Sequence, residues 1–119
     1  GPVLCTDSQP QHPWQINDAT RVVIGPEGSV LAIGKDLTSW TAVDTGVFLL
    51  GDYVFDGIDH LKRSQGIEVE MTELVRLFAD RNDHFSACDI DGAFWADVDT
   101  VEDLQATDLW MCKNELDEE

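Results

Sequence analysis

Asp97 and Asp99 are the residues best suited, by type and spacing, to do chemistry. They stand two apart in Phe94-Trp95-Ala96-Asp97-Val98-Asp99-Thr100, and side chains of an extended segment alternate, so both point to one side. Paired hard oxygen ligands suit Mg²⁺, which takes few protein ligands and fills its shell with water and substrate phosphates. Asp97 reads as a metal ligand. Asp99 has a competing reading, the acceptance of backbone N–H groups beside the helix that Thr100-Val101-Glu102-Asp103 opens with capping-box chemistry. Histidine and cysteine suggest no second site. His12, His60 and His84 form no HxxxH or HExxH pattern, and Cys5, Cys88 and Cys112 are odd in number and lack a CxxC pair. They read as free thiols.

The elements that must position these carboxylates follow from periodicity. Residues 1–18 read as irregular because of Pro10, Pro13 and a polar run, apart from a short strand at Val3-Leu4-Cys5. The Gly1-Pro2 start, without Met, suggests an excised or processed piece. Arg21-Val22-Val23-Ile24 and Val30-Leu31-Ala32-Ile33 flank Gly25-Pro26-Glu27-Gly28-Ser29, which is hairpin chemistry. Ala42 to Leu50 is a nearly continuous apolar run and predicts a central strand buried on both faces. Val54, Phe55, Ile58 and Leu61 recur at helical spacing, as do Leu74, Val75, Leu77 and Phe78 after a start near Thr72. Phe85–Ile90 and Phe94–Val98 predict two strands joined by Asp91-Gly92, with Phe94 and Trp95 in the core. A last helix carries Leu104, Leu109 and Met111. The order is that of an α/β fold, a mixed sheet with flanking helices.

Composition limits the partners. A chain of 119 residues, 43% hydrophobic, is long enough for one domain with a core. Seven Lys and Arg against 24 Asp and Glu leave a net charge of −17, which repels a nucleic-acid backbone. The acids crowd toward the C-terminus and end in an acidic tail, residues 113–119, read as solvated and frayed. Such a surface also suits a high-salt, halophilic cytosol. No segment reaches the roughly 20 apolar residues of a membrane-spanning helix and no signal-peptide plan is visible, so the expected location is cytoplasmic.

Five segments in order carry a family resemblance: Ala19-Thr20-Arg21-Val22-Val23-Ile24; Ile33-Gly34-Lys35; Ala42-Val43-Asp44-Thr45-Gly46-Val47-Phe48; Glu70-Met71-Thr72-Glu73-Leu74; and Phe94 through Leu104. Over residues 19–110 the chain resembles the second half of the nucleotidyltransferases that make nucleotide-activated sugars and polyols. Among them it is most similar to the inositol-phosphate cytidylyltransferases. The resemblance implies the C-terminal half of a Rossmann-like nucleotidyltransferase domain, with a sugar- or inositol-phosphate and an NTP as partners and Mg²⁺ as cofactor. By the same resemblance Asp97 holds the catalytic metal, with Asp99 beside it, and Lys35 contacts a phosphate. Thr45 and Gly46 line the acceptor pocket, and Glu70 lies near the acceptor hydroxyls.

Each assignment has a plainer counterpart. Lys35 reads equally as a solvated strand-end charge, Thr45-Gly46 as a bulge, and Glu70 as a residue favoured by a helix dipole. The family's Gly-x-Gly-x-Arg nucleotide loop and the second metal-binding Asp are absent from these residues, and Val101 stands where relatives have Pro. The chain alone is therefore expected to be catalytically inactive, with a missing N-terminal half or a homodimer partner completing the sheet. The alternatives are a non-catalytic, phosphometabolite-binding or dimerising remnant of the fold and a salt-adapted structural module.

Overall fold

Apolar residues alternating along the chain build five strands, and three of the four helices follow runs with helical spacing or capping signals. A computed structural model describes residues 1–66 and 68–115. In chain order these form β1 (Val3–Asp7), α1 (Trp14–Asn17), β2 (Arg21–Ile24), β3 (Val30–Gly34), β4 (Ala42–Leu49), α2 (Val54–Gln65), α3 (Met71–Asp80), β5 (Ser86–Asp89) and α4 (Val101–Glu115). The sheet order is β3-β2-β4-β1-β5, with β1 and β5 parallel and the other pairs antiparallel. This is the mixed α/β architecture expected.

One face of the sheet is covered by α2 and α3. Leu4, Val22, Val30, Ile33 and Phe85 meet Val54, Leu61, Leu74, Val75 and Phe78 to form the core. Gly57 lets the helices approach, since a Cβ there would meet Phe78 at 2.8 Å and Leu74 at 3.1 Å. The sheet coils until its outer strands touch at one end. There Ser29 bridges to Ser86, the Val30 N–H donates to the Phe85 carbonyl, and the Ala87 N–H donates to the Gly28 carbonyl.

Several expectations are corrected. The short strand expected at Val3-Leu4-Cys5 forms but runs on to Asp7 as β1, inserted between β4 and β5. Pro13 leads directly into the single turn α1, where its lack of an N–H costs nothing. The Asp91-Gly92 turn forms, with φ of 50° and 84°, but Phe94–Val98 is no strand. Within it the Trp95 carbonyl accepts from Gln15 and the Trp95 indole donates to Asp7, and the segment pairs with no strand.

The apolar runs also place fewer residues inside than their composition suggests. β4 is the middle strand, yet it exposes 56% of Val47 and 67% of Leu49 on the face that α2 and α3 do not cover. Leu104, Leu109 and Met111 of α4 are exposed too. That helix meets the body through Trp110, stacked on Phe94 at 3.6 Å. The acidic tail is helical to Glu115, and its last four residues lie outside the described range. Among the described residues no helix is long and apolar enough to cross a membrane.

Candidate functional site

The parallel strands β1 and β5 end at Asp7 and Asp89, and the chemistry gathers beyond these carboxyl ends, where ligands of open α/β sheets bind. Asp7 is fully buried. Its Oδ1 accepts hydrogen bonds from the Gln9 and Gly92 backbone N–H groups, both at 2.9 Å, and its Oδ2 accepts from the Trp95 indole at 2.8 Å. Gln15, equally enclosed, accepts from the Gln11 and His12 backbone at 2.9 and 3.1 Å and donates to the Trp95 carbonyl at 3.0 Å. These bonds hold the extended segment that delivers Asp97. Around them His12, Trp14, Phe94, Trp95 and Trp110 pack ring against ring, which gives the segment an apolar footing.

A bulge in β4 lies against Asp97. Its register against β1 shifts between Leu4 and Thr6, and Gly46 takes φ +81°. The Gly46 N–H donates to Asp44 Oδ1 at 2.7 Å, and the Thr45 hydroxyl donates to the Cys5 carbonyl at 2.7 Å. A Cβ at position 46 would lie 3.6 Å from Asp97 Oδ1, so only backbone separates that carboxylate from the strand. A cleft of about 120 Å³ opens beside Asp97, lined by Trp14, Gln15, Asp18, Asp97, Asp99 and Asp103 among others, and by no residue of β4.

Carboxylates dominate its electrostatics. Burial pushes the Asp97 carboxyl above the usual range, and the charges of Asp99 and Asp103 add to the effect. Burial likewise raises Asp44; the Gly46 N–H opposes the rise, and the charge of Asp97 adds to it. Thr100 and Asp103 form the capping box. The Asp103 N–H donates to the Thr100 hydroxyl, and the Thr100 N–H donates to the Asp103 carboxylate. Asp99 is left facing the cleft, with its own N–H also on Asp103.

The residues singled out by sequence therefore divide. Asp97, Asp99 and Gly46 come together. Lys35 reaches the rim, its Nζ 3.7 Å from Asp18, while Arg21 donates to the Lys35 and Leu37 carbonyls at 3.4 and 3.2 Å and stacks over Trp40. Thr45 is buried with its hydroxyl engaged in the bulge, and Glu70 lies exposed at the start of α3, so neither lines the cleft. Sequence reasoning missed Asp7, Gln15, Asp18 and Asp44. Asp44 was visible beside Thr45-Gly46, but only the bulge reveals that it faces Asp97.

Among the described residues no three metal-ligating side chains converge as a ready cage. Mg²⁺ needs only one or two carboxylates, and Asp97, partly buried with the charges of Asp99 and Asp103 beside it, is a group whose charge a divalent cation would relieve, so the donor set fits.

The geometry has counterparts among known structures. The chain superposes on the inositol-1-phosphate CTP transferase from T. maritima with a TM-score of 0.73 and 22% identity, over 92% of this chain and 43% of that one. A Bacillus anthracis protein named as a glucose-1-phosphate thymidylyltransferase gives a TM-score of 0.71 at 20% identity, with the same coverage. The fold is thus that of part of a nucleotidyltransferase. In sequence, the chain is homologous to bifunctional IPC transferase and DIPP synthase. It is 33% identical over 105 residues to the Archaeoglobus fulgidus protein and 33% over 103 residues to that of Thermococcus kodakarensis. These alignments take in 88% and 86% of the chain, but the chain spans only 20% and 22% of those relatives' length. No family model matches the chain.

Proposed function

We propose that the chain is the acceptor-binding, metal-contributing part of a nucleotidyltransferase that joins an NMP unit from an NTP to an inositol- or sugar-phosphate. The observation that carries this reading is the placement of Asp97 against the Gly46 bulge, beside Asp44 and beyond the ends of β1 and β5. Asp97, with help from Asp44, would hold Mg²⁺, which would neutralise phosphate charge where an acceptor phosphate oxygen bonds to the α-phosphorus of the NTP, a phosphoanhydride forms and pyrophosphate leaves. Asp99, which lines the same cleft, would carry water of that shell. Lys35, at the rim, is the cation for the acceptor phosphate. The bare Gly46 backbone lets the acceptor approach closely, and Thr45 shapes that bulge from within. Glu70 stays outside the contact set in this reading.

Catalysis by these residues alone is not expected, because they include no Gly-rich triphosphate cradle. The exposed Val47 and Leu49 of β4 support the same view, for they offer an apolar sheet face on which the rest of a longer parent could pack.

A thermal melt tests the proposal. Saturation with Mg²⁺ and inositol 1-phosphate, at about one hundred times the dissociation constant, should add about 2.7 kcal/mol to the folded state. Asp97→Asn should abolish that gain, and the chain should release no pyrophosphate from CTP. An unchanged melt in wild type, or a gain that survives Asp97→Asn, would overturn the reading.

A further inference from the structure

The uncovered face of the sheet brings two thiols side by side. In the parallel pair of β1 and β5, Cys5 lies opposite Cys88, between the partners Leu4–Ala87 and Thr6–Asp89. Leu4 and Ala87 face the helices. By alternation Cys5 and Cys88 share the other face. Neighbouring strands run about 4.8 Å apart, within the Cα separation of about 4.4–6.8 Å that a disulfide spans. Both cysteines are free, Cys88 exposed and Cys5 half-buried. Burial pushes the Cys5 thiol up, and the charge and hydrogen bonding of the adjacent Cys88 push it the same way. The two differ in exposure, and that difference assigns them different chemical roles.

We propose that Cys5 and Cys88 form a peroxide-sensitive dithiol that closes to an intramolecular disulfide and ties the edge strand β5 to β1. The exposed Cys88, as thiolate, attacks an oxygen of a hydroperoxide ROOH. The O–O bond breaks, RO⁻ takes up the proton Cys88 released and leaves as ROH, and Cys88 becomes a sulfenic acid. The Cys5 sulfur then attacks the sulfenic sulfur, forming the S–S bond, and the hydroxyl leaves as water with the Cys5 proton. Two thiols and one hydroperoxide become one disulfide, one ROH and one water. The two sulfurs together lose the two electrons that the O–O bond gains. Cys112, exposed on α4 and outside the sheet, is an internal control. The inference stands on strand register and concerns the chain with this face open, before any remainder of a longer parent packs on it.

The test treats the reduced 119-residue chain with hydrogen peroxide, alkylates it under denaturing conditions and maps its peptides without reduction. Alkylatable thiols should fall from three to one, with a Cys5–Cys88 linked peptide, Cys112 alkylated, and all three thiols recovered with dithiothreitol. Cys5→Ser should stop at a Cys88 sulfenic acid trapped by a carbon nucleophile, and Cys88→Ser should leave Cys5 alkylatable. Guanidinium should erase the pairing preference, since the register then no longer exists. The proposal is overturned if Cys88 advances to sulfinic acid while Cys5 stays free, or if cross-links involve Cys112 or a second chain. It is equally overturned if three alkylatable thiols persist, or if the Cys5–Cys88 yield is the same in guanidinium.

Discussion

Three donors converge on the Asp7 carboxylate where none of it meets solvent, and this gives the residue its energetic weight. Charge-assisted hydrogen bonds are worth about 1.5–3 kcal/mol each, and a buried donor left alone costs about 1–3 kcal/mol. Asp7→Ala is therefore expected to lower unfolding free energy in urea by at least about 3 kcal/mol. Trp95→Phe keeps the ring but removes one donor, and should cost about 1.5–3 kcal/mol. Asp44 predicts a pH effect of definite sign. Its folded-state pKa is raised, so the native chain binds this proton more tightly than the unfolded one. That contribution is fully present below the ordinary aspartate value of about 3.9 and is lost as pH rises through the raised pKa. Asp89 has the opposite sign: burial alone would raise it, but hydrogen bonds from the Ser8 hydroxyl and from the Asp91 and Ser8 backbone hold it below the usual range. Asp44→Asn should accordingly flatten the fall of melting temperature from acid toward neutral pH. An unaltered profile would mean that burial does not hold the Asp44 pKa up in solution.

At the scale of elements, α2 and α3 meet at Gly57, where a Cβ would press on the enclosed Phe78 ring. Gly57→Ala gains about 1 kcal/mol of helix propensity but incurs an overpacking cost of about 1–3 kcal/mol. A net loss of about 1 kcal/mol is expected, read as a lower urea midpoint with unchanged slope. Periodicity found α2, α3 and the β2–β3 hairpin because their side chains choose between water and one core. It misjudged Phe94–Val98, whose alternation is that of a strand but whose hydrogen-bond partners come from Asp7 and Gln15, remote in sequence. It found Asp97 and Asp99 because their spacing is local. It could not find Asp44 facing Asp97, because a bulge and a chain crossing separate the two in sequence. The Cys5–Cys88 pair was hidden for the same reason: register is a tertiary property.

Over the whole molecule, 24 acidic residues face seven basic ones, and among the described residues the ion pair formed is Lys35–Asp18. Mutual repulsion is thus poorly offset, and the screening length shortens from about 30 Å at 0.01 M salt to about 3 Å at 1 M. The melting temperature should climb with potassium chloride over that range; a flat response would show the charges to be already relieved. The pairing of β1 with β5 has a further consequence. Val3 has Ser86, far along the chain, as its partner across the sheet. On a translating ribosome β1 must therefore wait, paired with β4, until β5 has been synthesised. Loop-closure entropy makes that final parallel pairing the late and slow event of folding, and until it occurs β1 remains an open edge for any other emerging strand.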